Sequence, residues 1–137
     1  MTALLDTGFL LAMLAHNDPL HESCKAVMLQ ERTPLIPSPV LPEFAYMAIR
    51  DLGYDRFIQF MQAVTQADSQ IVFAVQEDYT RAIQVVEQYA DSRIDFVDCM
   101  IVAMAERLNI SRILTIDQRH FRMFRPKHID VFEIFPA

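Results

Sequence analysis

Glycine is nearly absent from this 137-residue chain, which has two, alongside two cysteines and four histidines. With no Ser/Gly-rich or charge-run stretch and no repeating period, nothing reads as a flexible linker or a tandem array. Cys24 and Cys99 form no CxxC pattern and have no histidine at zinc-type spacing, so both are expected as buried, reduced thiols. No apolar run reaches the roughly 20 residues that a membrane span requires. The apolar stretch over residues 9–15 is approached through Asp6 with no Lys or Arg before it, unlike a secretory leader; a cytoplasmic protein without membrane association is expected. Positive charge is also in deficit, 12 Lys and Arg against 18 Asp and Glu, for a net charge of -6 and a pI near 5.1. Such a balance argues against broad electrostatic capture of nucleic acid.

What the chain does have is apolar residues, 53% of the total, enough at this length to bury one core, and a single domain over residues 1–137 is expected. Strand-like runs at residues 2–5, 35–36, 71–75, 113–116 and 130–135 alternate with helical patterns. The first helix is capped by Thr7 and carries Phe9, Leu10, Leu11, Met13 and Leu14. Asp18 and Pro19 open the next, running to about Arg32, and Pro39 and Pro42 open a third that holds Glu43 in its first turns. Gly53 closes that helix in a left-handed conformation, and residues 54–67 follow with Phe57, Ile58, Phe60, Met61 and Val64 at helical spacing. Residues 77–89 read as an amphipathic helix, and residues 96–108, almost wholly apolar from Val97 to Ala105, as an interior one. Alternation of this kind implies parallel pairing, right-handed crossovers and a three-layer α/β/α sandwich around a short, mainly parallel sheet.

Four acids occupy comparable places in this pattern. Asp6 and Asp117 each follow a strand, where the functional crevice of an open α/β sheet lies; Glu43 and Asp98 fall near helix starts. If they converge, each carboxylate pair about 4 Å apart repels by roughly 4 kcal/mol at an effective dielectric of 20, so protonation or a bound cation must offset the charge. Short all-oxygen ligands favour Mg²⁺ or Mn²⁺ over zinc, and a cation held this way suits phosphodiester hydrolysis by an activated water. Asp95, three residues before Asp98, is either a helix cap or an outer residue of the same site. Thr7 and Thr115 are candidates to support it, with helix capping and strand preference as their ordinary roles.

Two other patterns carry less. Asp6-Thr7-Gly8 spells the motif of aspartic proteases, but those enzymes set it in a glycine-rich all-β fold and here it runs into Phe9-Leu10-Leu11. His16, His21, His120 and His128 show no nucleophile–base pattern. From Arg107 to His128, six basic residues face Asp117 alone, a net +5 with histidines neutral; a solvated surface is the ordinary reading of such a run, a phosphate-facing patch the functional one.

Taken together, Leu4-Leu5-Asp6-Thr7, Pro42-Glu43-Phe44, Asp95-Phe96-Val97-Asp98-Cys99 with Ile101 to Ala105 behind it, and Ile113-Leu114-Thr115-Ile116-Asp117 followed by His120-Phe121 resemble a PIN-domain ribonuclease over essentially the full length. The closest likeness is to VapC-type toxins of toxin–antitoxin pairs. The resemblance implies that Asp6, Glu43, Asp98 and Asp117 match the family's acidic quartet, with Asp6 and Asp98 as direct metal ligands and Thr7 and Thr115 as hydroxyls beside them. It implies a Mg²⁺- or Mn²⁺-dependent endoribonuclease acting on structured RNA such as tRNA, a homodimer, and a cognate antitoxin that blocks the site. Under that reading Arg112, Arg119 and Arg122 are the candidates to guide RNA phosphates. A PIN-like RNA- or protein-binding scaffold without useful catalysis, or a housekeeping RNA-processing nuclease, is the alternative.

Overall fold

The computed structural model of the protein describes residues 2–67 and 70–136. Five strands, β1 (Thr2–Leu5), β2 (Thr33–Pro37), β3 (Ile71–Val72), β4 (Arg112–Leu114) and β5 (Glu133–Phe135), form one parallel sheet in the order β3-β2-β1-β4-β5. Central β1 places Leu4 opposite Leu35 on one side and Ile113 on the other, and Ala3, Leu4 and Leu5 are fully buried. Strands flanked by helices on both faces have no solvent side, which is why they read as continuous apolar runs.

The helices are α1 (Thr7–Leu14), α2 (His21–Gln30), α3 (Val40–Leu52), α4 (Tyr54–Gln66), α5 (Gln76–Gln88), α6 (Phe96–Leu108) and α7 (Gln118–Met123). From β1 the chain steps outward to β2 and β3, then returns past β1 to β4 and β5. Right-handed crossovers in opposite directions put their helices on opposite faces, so α1–α4 form one layer and α5–α7 the other; α1 packs on α2 and α3, α3 on α4, and α5 on α6. The expected three-layer sandwich is what forms, and the reversal of direction falls between β1 and β4. Interior α6 is buried without a break from Cys99 to Ala105, and both thiols are free and buried.

Several boundaries differ from the sequence expectation for local reasons. β3 stops at Val72, not Val75, because side chains take the next backbone donors: Ala74 N donates to Ser38 Oγ at 3.0 Å and Val75 N to Asp78 Oδ2 at 2.9 Å. β4 stops at Leu114, where Thr115 Oγ1 accepts from Asp117 N at 2.9 Å and turns the chain. Asp18 does not cap a helix through Pro19; it accepts from Leu20 N at 2.8 Å in a turn, and α2 begins at His21. Gly53 has φ 92° and ψ 166°, outside the left-handed helical region but still reached only by glycine without strain. α7 has no counterpart in the sequence reading, since a six-residue helix anchored through Phe121 shows too little periodicity to register.

Arg112 begins β4, at the sheet end opposite the strand carboxyl termini. Its guanidinium grips the Glu31 carboxylate, with Nε at 3.0 Å from Oε1, and lies 4.3 Å from the Phe135 ring centroid. This corrects its assignment as an RNA-guiding residue. The Glu31 side chain is only 2% exposed and its second oxygen has no hydrogen-bond partner, so an unpaired carboxylate there would be costly. Arg112→Ala is expected to lower the unfolding free energy by about 3–5 kcal/mol in urea titrations, and the Glu31→Leu/Arg112→Leu pair to recover most of it.

Candidate active site

α3 and α6 run antiparallel to the strands, so their amino termini lie at the same rim as the strand carboxyl ends. Asp6 after β1, Glu43 in the first turn of α3, Asp95 and Asp98 at the start of α6, and Asp117 after β4 therefore line one cleft of about 310 Å³, together with Thr7, Gly8, Met47 and Ile116. All four members of the predicted quartet meet here. The cleft sits at the switch point between β1 and β4, where open α/β sheets bind ligands.

Asp6 is the anchored member. Its backbone N donates to Leu114 O at 3.1 Å, its Oδ1 accepts from Phe9 N at 2.9 Å, and its Oδ2 accepts from Thr115 Oγ1. Asp6 therefore caps α1, not Thr7 as expected; Thr7 lies in the first turn. Its buried Oγ1 lacks a hydrogen-bond partner. Thr115, fully buried, ties Asp6 to the Asp117 backbone. Asp95 stands at the cap position of α6, yet its side chain makes no capping bond and lines the cleft.

Burial and like charge raise the proton affinity of this cleft. Asp6 is pushed from an ordinary 3.8 to about 6, chiefly by burial, against the hydrogen bonds from Thr115 and Phe9. Asp98 is pushed to about 8, again chiefly by burial and then by the charges of Asp6, Asp117, Asp95 and Glu43. Five carboxylates with few compensating donors and a buried unpartnered hydroxyl form an oxygen-rich donor set that fits a hard divalent cation.

One neighbour escaped the sequence reading. His120 on α7 places Nδ1 3.0 Å from Asp117 Oδ2 and 3.4 Å from Asp98 Oδ2; its spacing of three from Asp117 was the available signal. Arg119 and Arg122 lie on the same short helix with exposed residues, Arg122 donating to Gln118 Oε1 at 2.9 Å. A larger cavity of about 530 Å³ lies elsewhere, beside α5 and α6. Two of its acids are paired with arginines, Glu106 with Arg81 at 2.7 Å and Asp78 with Arg107 at 2.9 Å, and Glu77 is the one other acid among the described residues of its lining, which includes Lys127.

A model of the family described as the PIN domain matches residues 3–125. The chain belongs to the PIN domain family. This PIN domain is 27% identical to Ribonuclease VapC26 of Mycobacterium tuberculosis, over 97% of this chain and 99% of the relative. Among solved structures it resembles VapC20 of Mycobacterium tuberculosis, described as a sarcin-ricin loop cleaving toxin, with TM-score 0.75 at 16% identity over 82% of this chain and 87% of that one. It also resembles VapBC2 of Rickettsia felis bound to a promoter DNA fragment, with TM-score 0.71 at 14% identity over 98% and 99%. At such identities the likeness to solved structures speaks to the fold.

Because the folded PIN domain holds protons at Asp6 and Asp98 that the unfolded chain releases near pH 4, its cation-free stability falls as pH rises from about 4 towards 8 and levels off above that. Asp98→Asn removes the larger part of this loss. Without divalent ions it is expected to melt above the wild type at pH 8, with the difference shrinking by pH 5; a pH series of thermal melts checks this.

Proposed function

We propose that this PIN domain is a Mg²⁺- or Mn²⁺-dependent endoribonuclease and the toxin of a toxin–antitoxin pair, one catalytic domain spanning the chain. The supporting observation is the convergence of Asp6, Glu43, Asp98 and Asp117 in one cleft at the β1–β4 switch point. The similarity to a named ribonuclease over nearly the whole chain agrees with it, as do fold neighbours that include a toxin–antitoxin complex.

Asp6 and Asp98 would hold the cation, and Asp117 lines the same cleft. When bound, the ion neutralises the carboxylates and polarises a phosphoryl oxygen of RNA. Thr115 keeps Asp6 in one orientation through its hydroxyl and passes the same constraint to Asp117 through the Asp117 backbone. Glu43, on α3 across the cleft from α6, takes the proton of the water that attacks phosphorus; the bond from phosphorus to the ribose oxygen breaks, and that oxygen takes its proton from solvent. Arg119 and Arg122 offer exposed positive charge next to Asp117 for the flanking phosphates; since each is a simple charge contact, losing one weakens RNA binding and its salt dependence without altering the chemistry.

Two partners follow from the same reading. An antitoxin covers the cleft. A second copy of the chain covers the apolar surface of α5 and the start of α6, where Tyr79 and Ile83 stand one turn apart, 47% and 53% exposed, and the Tyr79 ring meets Phe96. Exposed apolar groups concentrated in this way mark a contact surface.

Asp6→Asn and Asp98→Asn are each expected to lower divalent-dependent RNA cleavage by at least about 100-fold, since even groups one step removed from a metal cost 10–100-fold, with circular dichroism unchanged. Induced expression of the wild type should arrest growth and Asp98→Asn should not. Full cleavage by either variant contradicts the assignment. For the dimer, Ile83→Asp should halve the mass measured by light scattering.

A further inference from the structure

Resting on the reading of the cleft as a divalent-cation site, we propose that His120 is itself a ligand, making the site a mixed nitrogen–oxygen one that prefers Mn²⁺ and Co²⁺ to Mg²⁺. The His120 side chain is 18% exposed, held between two acids from different elements, Asp98 on α6 and Asp117 after β4. Its Nδ1 lies 3.0 Å from Asp117 Oδ2 and 3.4 Å from Asp98 Oδ2, and one ligand atom from each of the three residues falls within a common 4.8 Å.

These separations match a coordination shell. Adjacent ligands of a six-coordinate ion at roughly 2.0–2.2 Å sit about 3 Å apart, and opposite ones a little over 4 Å. Nδ1 therefore stands at a neighbouring-ligand distance from both carboxylate oxygens. One ligand atom from each of Asp98, Asp117 and His120 faces the same space, and that space is where a cation would sit. Spacing of three residues keeps Asp117 and His120 on one side of the short α7 turn, so both reach the site without any change in the backbone.

An imidazole nitrogen changes which ion is favoured. Mg²⁺ selects oxygen and keeps its waters, whereas imidazole affinity rises along the first-row divalent series from Mn²⁺ to Co²⁺. An acidic cleft without His120 would discriminate little between Mg²⁺ and Co²⁺ beyond this general order; with His120 the gap widens. Were the histidine only to orient Asp117 by a hydrogen bond, asparagine, whose side-chain amide reaches the position of Nδ1, would preserve both affinities.

Calorimetric titration of the purified protein with MgCl₂, MnCl₂ and CoCl₂ tests this, alongside His120→Asn and His120→Ala checked for folding by thermal melts. Expected is a loss of at least about tenfold in Co²⁺ affinity in both variants, with Mg²⁺ affinity changing by less than about threefold. Co²⁺ and Mg²⁺ affinities falling in parallel, or asparagine restoring Co²⁺ binding, overturns the ligand role while leaving the cation site intact. A wild-type protein that binds none of the three ions overturns the cation-site reading and this proposal with it.

Discussion

Mutual repulsion among carboxylates at the rim between β1 and β4 is the constraint around which this PIN domain is arranged. Asp6 and Asp98 acquire proton affinities far above those of ordinary aspartates because burial and their neighbours disfavour charge. A domain with a typical net stability of roughly 5–15 kcal/mol tolerates such a cluster only when the surrounding structure fixes it. Here Asp6 is held at three points, by the Leu114 carbonyl, the Phe9 amide and the Thr115 hydroxyl. The apolar interior of α6 keeps Asp98 at the rim.

Elsewhere charge is arranged in the opposite way. Arg81 with Glu106 and Arg107 with Asp78 bridge α5 and α6, and Arg112 with Glu31 closes the far end of the sheet. Every buried acid of those networks has an arginine partner, whereas among the described residues the cleft acids meet one backbone amide, a threonine and a histidine. That contrast between paired and unpaired carboxylates, more than cavity size, distinguishes the cleft from the larger opening beside α5.

The layer architecture and the four acids were legible in the sequence because both depend on local patterns: apolar runs mark strands buried on both faces, and acids directly after them fall at the rim whatever the strand order. Interior α6 was legible to the residue for the same reason. Positions decided by long-range contact were not. Nothing local to Arg112 announces Glu31, 81 residues away, so a residue read as an RNA contact is the half-buried partner of a buried carboxylate. His120 looked like an isolated histidine because Asp98, its second neighbour, comes from another element. The ends of β3 and β4 were misjudged because single side chains, Ser38, Asp78 and Thr115, claim the backbone donors that would have extended the ladders.

The central claim, that these acids form one cation-holding pocket, is tested most directly by anomalous diffraction from crystals soaked in MnCl₂. The account predicts a manganese peak inside the cleft, within ligand distance of Asp98 and adjacent to Asp6, that disappears in Asp98→Asn crystals. Manganese bound only outside the cleft, or no peak there at saturating MnCl₂, would contradict it.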